Sequence, residues 1–191
     1  MDMPLEIERK FLIYYPDTDW LAQFPGSRRI DITQTYLLSG EGESRRVRRW
    51  YEGGQTVFFK SVKRPLTDRT RVELEEEIGE SEYTALLEQA DPERLPIRKT
   101  RWCIPFADHT LEIDLYDFWT DQATLECELQ SEDEVFEIPP EITVIREVTE
   151  DRRYLNSSLA RSVPPSEAES REGSRTRQNS RAAETKTGGV I

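Results

Sequence analysis

Apolar and polar residues alternate with a period of two along most of the first 130 residues of the chain. This period is typical of β-strands, because successive side chains of a strand point to opposite faces of the sheet. The alternation predicts eight strands, at residues 4–13, 30–38, 44–51, 55–63, 70–79, 98–105, 109–118 and 124–131. Glycine-containing turns at Gly40-Glu41-Gly42 and Gly53-Gly54 separate extended runs, as expected for antiparallel hairpins.

Short apolar stripes with helical spacing predict a few helices beside these strands, at residues 17–24, 81–90 and about 150–160. Ser81 is the expected cap of the second helix and Thr149 that of the third. Many antiparallel strands with few helices indicate a mainly β (α+β) fold. We expect a barrel or a curved sheet with the helices packed outside.

The charged residues of the predicted strands share one face of each strand. Glu6, Glu8 and Lys10 begin this pattern, which later strands repeat at Arg46, Arg48, Lys60, Arg71, Glu73, Glu75, Lys99, Arg101, Glu112, Asp114, Glu126 and Glu128. An ordinary antiparallel sheet with one face in water explains such alternation. A closed sheet with the charged face inside is the other interpretation, because that face is almost purely acidic or basic. The interior would then suit a polyanion bound to the bases, with divalent cations between it and the acids.

Length and composition limit the possible functions. A chain of 191 residues fits one domain, and its net charge of -12 argues against a general nucleic-acid surface. No apolar run reaches the length of a membrane span, and no secretory signal is visible, so we expect a reduced, cytoplasmic protein. Residues 162–191 are rich in Ser, Arg, Glu and Gly, which predicts a disordered tail after a domain at 1–161.

The order and spacing of several short motifs resemble the CYTH domain, the domain of the triphosphate tunnel metalloenzyme family. The Glu-x-Glu-x-Lys start at Glu6, Glu8 and Lys10 is the signature of that family. It is joined by Gln34-Thr35-Tyr36-Leu37, Arg46-Val47-Arg48, Arg71-Val72-Glu73-Leu74-Glu75, Lys99-Thr100-Arg101, Glu112-Ile113-Asp114, Glu126-Cys127-Glu128 and Val148-Thr149 followed by Tyr154-Leu155-Asn156. The resemblance spans about residues 4–160 and is strongest to short bacterial inorganic triphosphatases.

The resemblance implies a closed eight-stranded antiparallel barrel around a charged tunnel that binds a triphosphate with Mg²⁺ or Mn²⁺. The implied metal ligands are Glu6, Glu8, Glu126, Glu128 and Asp114. Phosphate oxygens would be bound by Arg46, Arg48, Lys60, Arg71, Lys99 and Arg101. The acids that would orient these bases are Glu73, Glu75 and Glu112. The resemblance thus implies hydrolysis of a phosphoanhydride bond.

Two catalytic roles and several substrates stay open at this point. Lys10 would stabilise the terminal phosphoryl group or orient the water. Tyr36 is the candidate proton acceptor, with neighbouring bases lowering its pKa, or else an aromatic packed in the barrel wall. Inorganic triphosphate is the leading candidate for the substrate. The alternatives are cyclisation of ATP, hydrolysis of thiamine triphosphate, and non-catalytic binding of polyphosphate or nucleotide. We expect a monomer or homodimer with no nucleic-acid or membrane partner.

Overall fold

The computed structural model describes residues 5–65 and 70–168, and β-strands dominate its backbone. The strands are β1 Leu5–Tyr14, β2 Arg28–Leu37, β3 Ser44–Glu52, β4 Gln55–Pro65, β5 Thr70–Ile78, β6 Ile97–Phe106, β7 His109–Tyr116, β8 Gln122–Leu129 and β9 Val144–Glu147. The first eight coincide with the predicted strands. The sequence analysis missed β9, because a run of four residues with one buried side chain carries too little alternation to detect.

The strands form one antiparallel sheet in the order β5-β4-β3-β2-β6-β7-β8-β1-β9. β1 also pairs with β5 over three residue pairs, from Leu5 with Val72 to Ile7 with Thr70, which joins the ends of an eight-strand row. Further along the same edge of β1, from Phe11 to Ile13, β9 takes the place of β5. The predicted eight-stranded antiparallel fold is confirmed. Its wall is joined over part of its height, and a ninth strand lies at the edge.

The helices are short. They are α1 Thr18–Gln23, α2 Glu80–Leu87 and α3 Asn156–Leu159, with a 3-10 turn at Arg152–Tyr154. The first two pack on the outer face of the sheet, as predicted, whereas residues of α3 line the cavity inside it. The prediction of one helix over 150–160 was wrong, because Leu155 has an extended backbone that separates the turn from α3. The predicted caps were also wrong. α2 follows Gly79 without a side-chain cap, and Asp151 caps the 3-10 turn.

Apolar side chains pack mainly on the outer face of the wall. The largest cluster joins Ile13, Ile113 and Leu125 of the sheet with Leu21 of α1. A second apolar layer beneath α2 includes the fully buried Val47. Because the outer face is covered in this way, the alternate, charged positions of the strands point inward. No helix among the described residues is long and apolar enough to span a membrane.

The residues after α3 lie against the body as far as the structure describes them. Glu167 accepts hydrogen bonds from Arg146 (2.8 Å from both Nε and Nη2) and from the Tyr154 hydroxyl (2.7 Å), and Ala168 is buried. Ser162–Ala168, which the sequence assigned to the tail, therefore contact the domain. A disordered tail beyond them stays a prediction that lies outside the described residues.

Candidate active site

The inward faces of the strands enclose a cavity of about 410 Å³. Most of the predicted site residues line it together: Glu8, Lys10, Tyr36, Arg46, Arg48, Glu75, Lys99, Arg101, Glu112, Glu126 and Glu128. These positions come from β1, β2, β3, β5, β6, β7 and β8. The structure thus selects the second of the two interpretations of the alternation, in which the charged face is internal.

Lys60 does not belong to this cavity, which corrects its prediction as a phosphate ligand. Its side chain is 38% exposed, and Nζ lies 2.8 Å from Glu82 and 3.1 Å from Glu76. Lys60 stands opposite Val47 in the β3–β4 register, and opposite residues of an antiparallel pair point to the same face. Val47 is on the outer face, so Lys60 is there too.

Lys63 is the lysine of β4 that lines the cavity. It pairs with Ser44, two positions before Arg46 on the inward face of β3. The sequence held a signal for this position. The Gly53-Gly54 turn fixes the register at Glu52 opposite Gln55, and counting back from it aligns Lys63 with the arginines of β3.

Three predicted residues have side chains outside the described part of the structure: Glu6, Arg71 and Glu73. Their backbone pairings are described. Glu6 stands opposite Arg71, and Glu73 stands opposite Lys63. The assignments of Glu6 as a metal ligand, Arg71 as a phosphate ligand and Glu73 as an orienting acid stay predictions.

Asp114 is completely buried and binds the two bases of β6. Arg101 donates to it from Nε (2.7 Å) and Nη2 (2.8 Å), and Lys99 donates from Nζ. Burial opposes ionisation, but the charges of Arg101 and Lys99 outweigh it and lower the Asp114 pKa. Asp114 does not line the cavity. Its predicted role as a metal ligand does not fit this geometry, and it orients the bases instead.

Glu126 links this network to β1. Lys10 Nζ lies 2.8 Å from Glu126 Oε1, and Arg101 Nη2 donates to Oε2 at 3.0 Å. Burial opposes the charge of Glu126, but Lys10 and Arg101 hold its pKa well below the usual range. Arg101 also donates to Glu112. Burial and the adjacent Arg101 lower the Lys99 pKa to about 8. Asp114 and Glu126 are therefore ionised, and the bases that they bind are held in fixed positions.

The acidic wall of the cavity has the chemistry of a divalent-cation site. Glu8 stands directly opposite Glu128 on β1 and β8, and Glu112 stands opposite Glu126 on β7 and β8. Like charges in directly opposed positions repel, and Arg101 already offsets this between Glu112 and Glu126. Carboxylate oxygens suit hard divalent cations. The described side chains do not by themselves form a three-ligand cluster, and Glu6 lies outside that set.

The opposite wall is basic, and Gln34 connects two of its side chains, Arg46 and Tyr36. The buried Gln34 accepts a hydrogen bond from Arg46 (3.2 Å) and donates one to the Tyr36 hydroxyl (2.8 Å). Burial raises the Tyr36 pKa, although Arg46 opposes the shift. The expectation of a lowered pKa was therefore wrong. Tyr36 keeps its proton and fits the alternative of a bonded aromatic in the wall.

Glu75 orients Arg48, as the resemblance implied. It accepts hydrogen bonds from Arg48 and from the Ser61 hydroxyl (2.7 Å). The Arg48 guanidinium also lies 5.1 Å from the ring centre of Trp50, which lines the cavity. Trp50 packs with Ile30, Ile32 and Cys103, so one part of the interior is apolar.

The sequence analysis did not identify Arg94, the loop around Gly42 to Ser44 or Leu155 to Ser157 as cavity-lining positions. Arg94 lies in the connection between α2 and β6, where no alternation reveals which way a side chain points. The residues after Tyr154 reach the cavity because the C-terminal segment packs on the inward-facing Leu12 and Tyr116.

Comparisons with known proteins agree with this architecture. Residues 4–155 match the family model of the CYTH domain. An inorganic triphosphatase of Acetivibrio thermocellus is 34% identical over 162 residues, which cover 83% of this chain and 95% of that protein. An inorganic triphosphatase of Nitrosomonas europaea is 32% identical over 162 residues, with 83% and 99% covered.

Solved structures show the same fold. The crystal structure of the inorganic triphosphatase NE1496 has a TM-score of 0.53 and 28% identity, covering 86% of this chain and 100% of that one. The protein PH1819 from Pyrococcus horikoshii OT3 has a TM-score of 0.53 and 22% identity, covering 68% and 81%. The second likeness concerns the fold alone.

Proposed function

The chain belongs to the CYTH domain family, and on that premise we propose that it is a metal-dependent hydrolase of inorganic triphosphate. The observation that carries the proposal is the single cavity with an acidic wall opposite a basic one. A triphosphate anion suits the bases, and the carboxylate oxygens suit the divalent cations that such an anion binds. Both relatives named above are inorganic triphosphatases, which supports tripolyphosphate as the substrate.

The family implies a divalent metal ion, and Glu8 and Glu128 would hold it, with Glu6 and Glu126 as further predicted ligands. We propose Mg²⁺ or Mn²⁺, because the donor set consists of carboxylate oxygens. When bound, such a cation neutralises phosphate charge and lowers the pKa of a water molecule that it coordinates. Glu126 stays ionised because Lys10 and Arg101 lie beside it. Its negative charge in turn holds Lys10 next to the acidic wall.

The bases position the substrate and offset charge that develops during the reaction. Phosphoryl transfer depends on positioning and charge neutralisation more than on covalent chemistry. Arg46, Arg48 and Lys63 approach from β3 and β4, and Lys99 and Arg101 approach from β6. Arginine forks can bind two phosphate oxygens at once. Lys10 would contact the phosphoryl group nearest the acids, and Tyr36 can donate its hydroxyl proton in a hydrogen bond.

Two other triphosphates are included in the test because an aromatic ring lines the cavity. Trp50 could stack on the base of ATP or the thiazole of thiamine triphosphate. The proposed assay measures phosphate and cyclic AMP after incubation with tripolyphosphate, ATP or thiamine triphosphate, with Mg²⁺, Mn²⁺ or a chelator. We expect phosphate to be released from tripolyphosphate in the presence of Mg²⁺ or Mn²⁺, and no release in the presence of chelator. No phosphate from any substrate with either metal would refute the proposal.

A matched pair of variants separates metal chemistry from general charge effects. Glu128→Gln removes a cavity carboxylate, and Glu141→Gln removes an exposed one outside the cavity. We expect the first to lower turnover by roughly tenfold or more and the second to leave it unchanged. Equal activities would contradict the assignment of the acidic wall. A cytoplasmic location, the monomeric or dimeric state and the absence of a nucleic-acid partner stay predictions.

A further inference from the structure

Arg94 is a half-buried base that has no role in the proposed mechanism. It lies in the connection between α2 and β6, and its side chain is 15% exposed and lines the cavity. Its Nε and Nη1 groups have no hydrogen-bond partner among the described residues. Nε lies 3.2 Å from Asp91 Oδ2 but is not aligned to donate to it. Buried guanidinium donors without acceptors are costly, and an anionic ligand in the cavity would supply acceptors that Asp91 does not.

The surrounding loop holds Arg94 in place before any ligand arrives. The Asp91 amide donates to the Tyr36 carbonyl (2.9 Å), and the Arg94 amide donates to the Asp91 carbonyl (3.1 Å). The Leu95 amide donates to the Ala160 carbonyl (2.8 Å), which ties the loop to the end of α3. The guanidinium lies 5.0 Å from the ring centre of Tyr36. A donor fixed in this way loses little entropy when it binds an anion.

Arg94 lies at one end of the cavity, away from the bases of β6. Tyr36 and Arg46 are paired across β2 and β3, near the end where the C-terminal segment packs. Arg94 lies beside Tyr36 at that end, and Asn156 of α3 is also on the cavity wall. The bases of β6, Lys99 and Arg101, come from positions opposite Ile32 and Ile30, farther along β2 from Tyr36. The positive charge therefore extends along the cavity rather than collecting at one point.

We propose that Arg94 binds the end phosphoryl group of the triphosphate that lies toward the C-terminal segment, and so helps to select three phosphates over two. This inference rests on the proposed function and names a specificity-determining residue for it. Pyrophosphate would be bound by the other bases of the cavity and would leave Arg94 without a contact. Tripolyphosphate would be long enough to supply acceptors for Nε and Nη1.

The test measures equilibrium binding by calorimetry in the presence of chelator, where turnover is absent. Arg94→Ala should weaken tripolyphosphate binding by roughly tenfold or more and change pyrophosphate binding by less than about twofold. Arg94→Lys should recover part of the loss, because lysine supplies the charge without the fork. Arg161→Ala is the control, because Arg161 pairs with Asp91 and Glu93 but does not line the cavity. It should match the unmodified protein.

Equal weakening for both anions, or no weakening for either, would overturn the proposal. If Arg94→Ala does not fold, Arg94→Lys carries the test, with a smaller but still selective loss for tripolyphosphate. Failure of the proposed function would look different. The unmodified protein would bind tripolyphosphate in chelator but release no phosphate when Mg²⁺ or Mn²⁺ is added. Absence of any tripolyphosphate binding by the unmodified protein would refute both.

Discussion

The exposed end and the centre of the inward-facing surface carry ion pairs of nearly the same geometry in very different surroundings. At the exposed end, next to the Gly53-Gly54 turn, Arg28 binds Glu52 through two hydrogen bonds of 2.8 and 2.7 Å, with side chains 58% and 37% exposed. At the centre, Arg101 binds Asp114 at 2.7 and 2.8 Å, with exposures of 8% and 0%. Distance does not distinguish these pairs, but burial does.

The comparison shows which charges the fold depends on. Exposed pairs contribute about 0–1 kcal/mol, because water screens the charges and the side chains lose entropy. Removing one partner of a buried pair costs about 3–5 kcal/mol, because an uncompensated charge is left inside. The inner network is therefore stable only as a complete set. Its acids and bases hold one another in the positions that a triphosphate and its cations require.

The largest effect is expected from breaking the inner network at its centre. Arg101→Ala leaves both Asp114 and Glu126 short of a compensating charge. We expect the free energy of unfolding to fall by about 3–5 kcal/mol, measured by urea denaturation. Arg28→Ala is the matched control and should change it by less than about 1 kcal/mol. Equal losses for the two variants would show that burial does not separate the two ion pairs.

A second test uses two lysines of β4 that lie three residues apart on opposite faces. Lys63→Ala removes a cavity base, and Lys60→Ala removes one that pairs with Glu76 and Glu82 outside. We expect Lys63→Ala to raise KM for tripolyphosphate by roughly tenfold, the cost of a charged hydrogen bond. Lys60→Ala should leave kcat and KM within about twofold. The reverse order would restore the original prediction for Lys60 and contradict the β4 register.

The two cysteines test whether burial on either face of the wall is enough to suppress the reactivity of a thiol. Cys103 lies in the interior with Ile30 and Ile32, and Cys127 lies in the outer core. Burial raises both pKa values to about 11. We expect both thiols to resist alkylation at pH 8 in the native protein and to react in urea. Rapid native labelling of one cysteine would show that its face is open to solvent.

The raised pKa values of the same thiols predict that the protein loses stability in alkali. Their folded pKa values of about 11 exceed the ordinary value of 9.0, so their contribution to the free energy of unfolding is complete below pH 9. This contribution is lost as the pH rises from 9 to 11. The double variant Cys103→Ala/Cys127→Ala should therefore show a shallower fall of the unfolding midpoint across this range than the unmodified protein. Parallel curves would exclude thiol ionisation as the cause.

The smallest effect is expected at Glu167, in the segment after α3. Its hydrogen bonds with Arg146, together with that from Tyr154, lower its pKa to about 2. A lowered carboxyl pKa contributes stability above the ordinary value of 4.5, and this is lost as the pH falls toward 2. The difference in melting temperature between the unmodified protein and Glu167→Gln should shrink over that range. Glu137→Gln, at an exposed position, should show no such trend.

Alternation in the sequence predicted the strands and the inward charged face because each strand is long enough to repeat its pattern several times. It also predicted that Glu8, Lys10, Arg46 and Glu126 would share one cavity. It failed at Lys60, where a single lysine between Phe59 and Ser61 has no charged neighbour of the same parity. The hairpin register, not the local pattern, decides that position.

Other parts of the site could not be predicted from alternation at all. Arg94 comes from a loop, where the side-chain direction depends on contacts with β2 and α3. The role of Asp114 depends on which groups lie around it in three dimensions. It shares its face with Glu112, yet it is completely buried between two bases while Glu112 reaches the cavity. The Tyr36 pKa likewise reflects burial outweighing nearby charge, a balance that depends on the folded environment.

The pairing of β1 has a consequence for the order in which the protein takes shape. β3 and β4, which supply Arg46, Arg48 and Lys63, are adjacent in the chain and need only a two-residue turn to pair. β1, which supplies Glu8 and Lys10, pairs with β8 and β9 more than one hundred residues later. Such distant pairings form slowly, and during synthesis they must wait for the later strands to be made. The acidic wall is thus completed last, after the basic hairpin already exists.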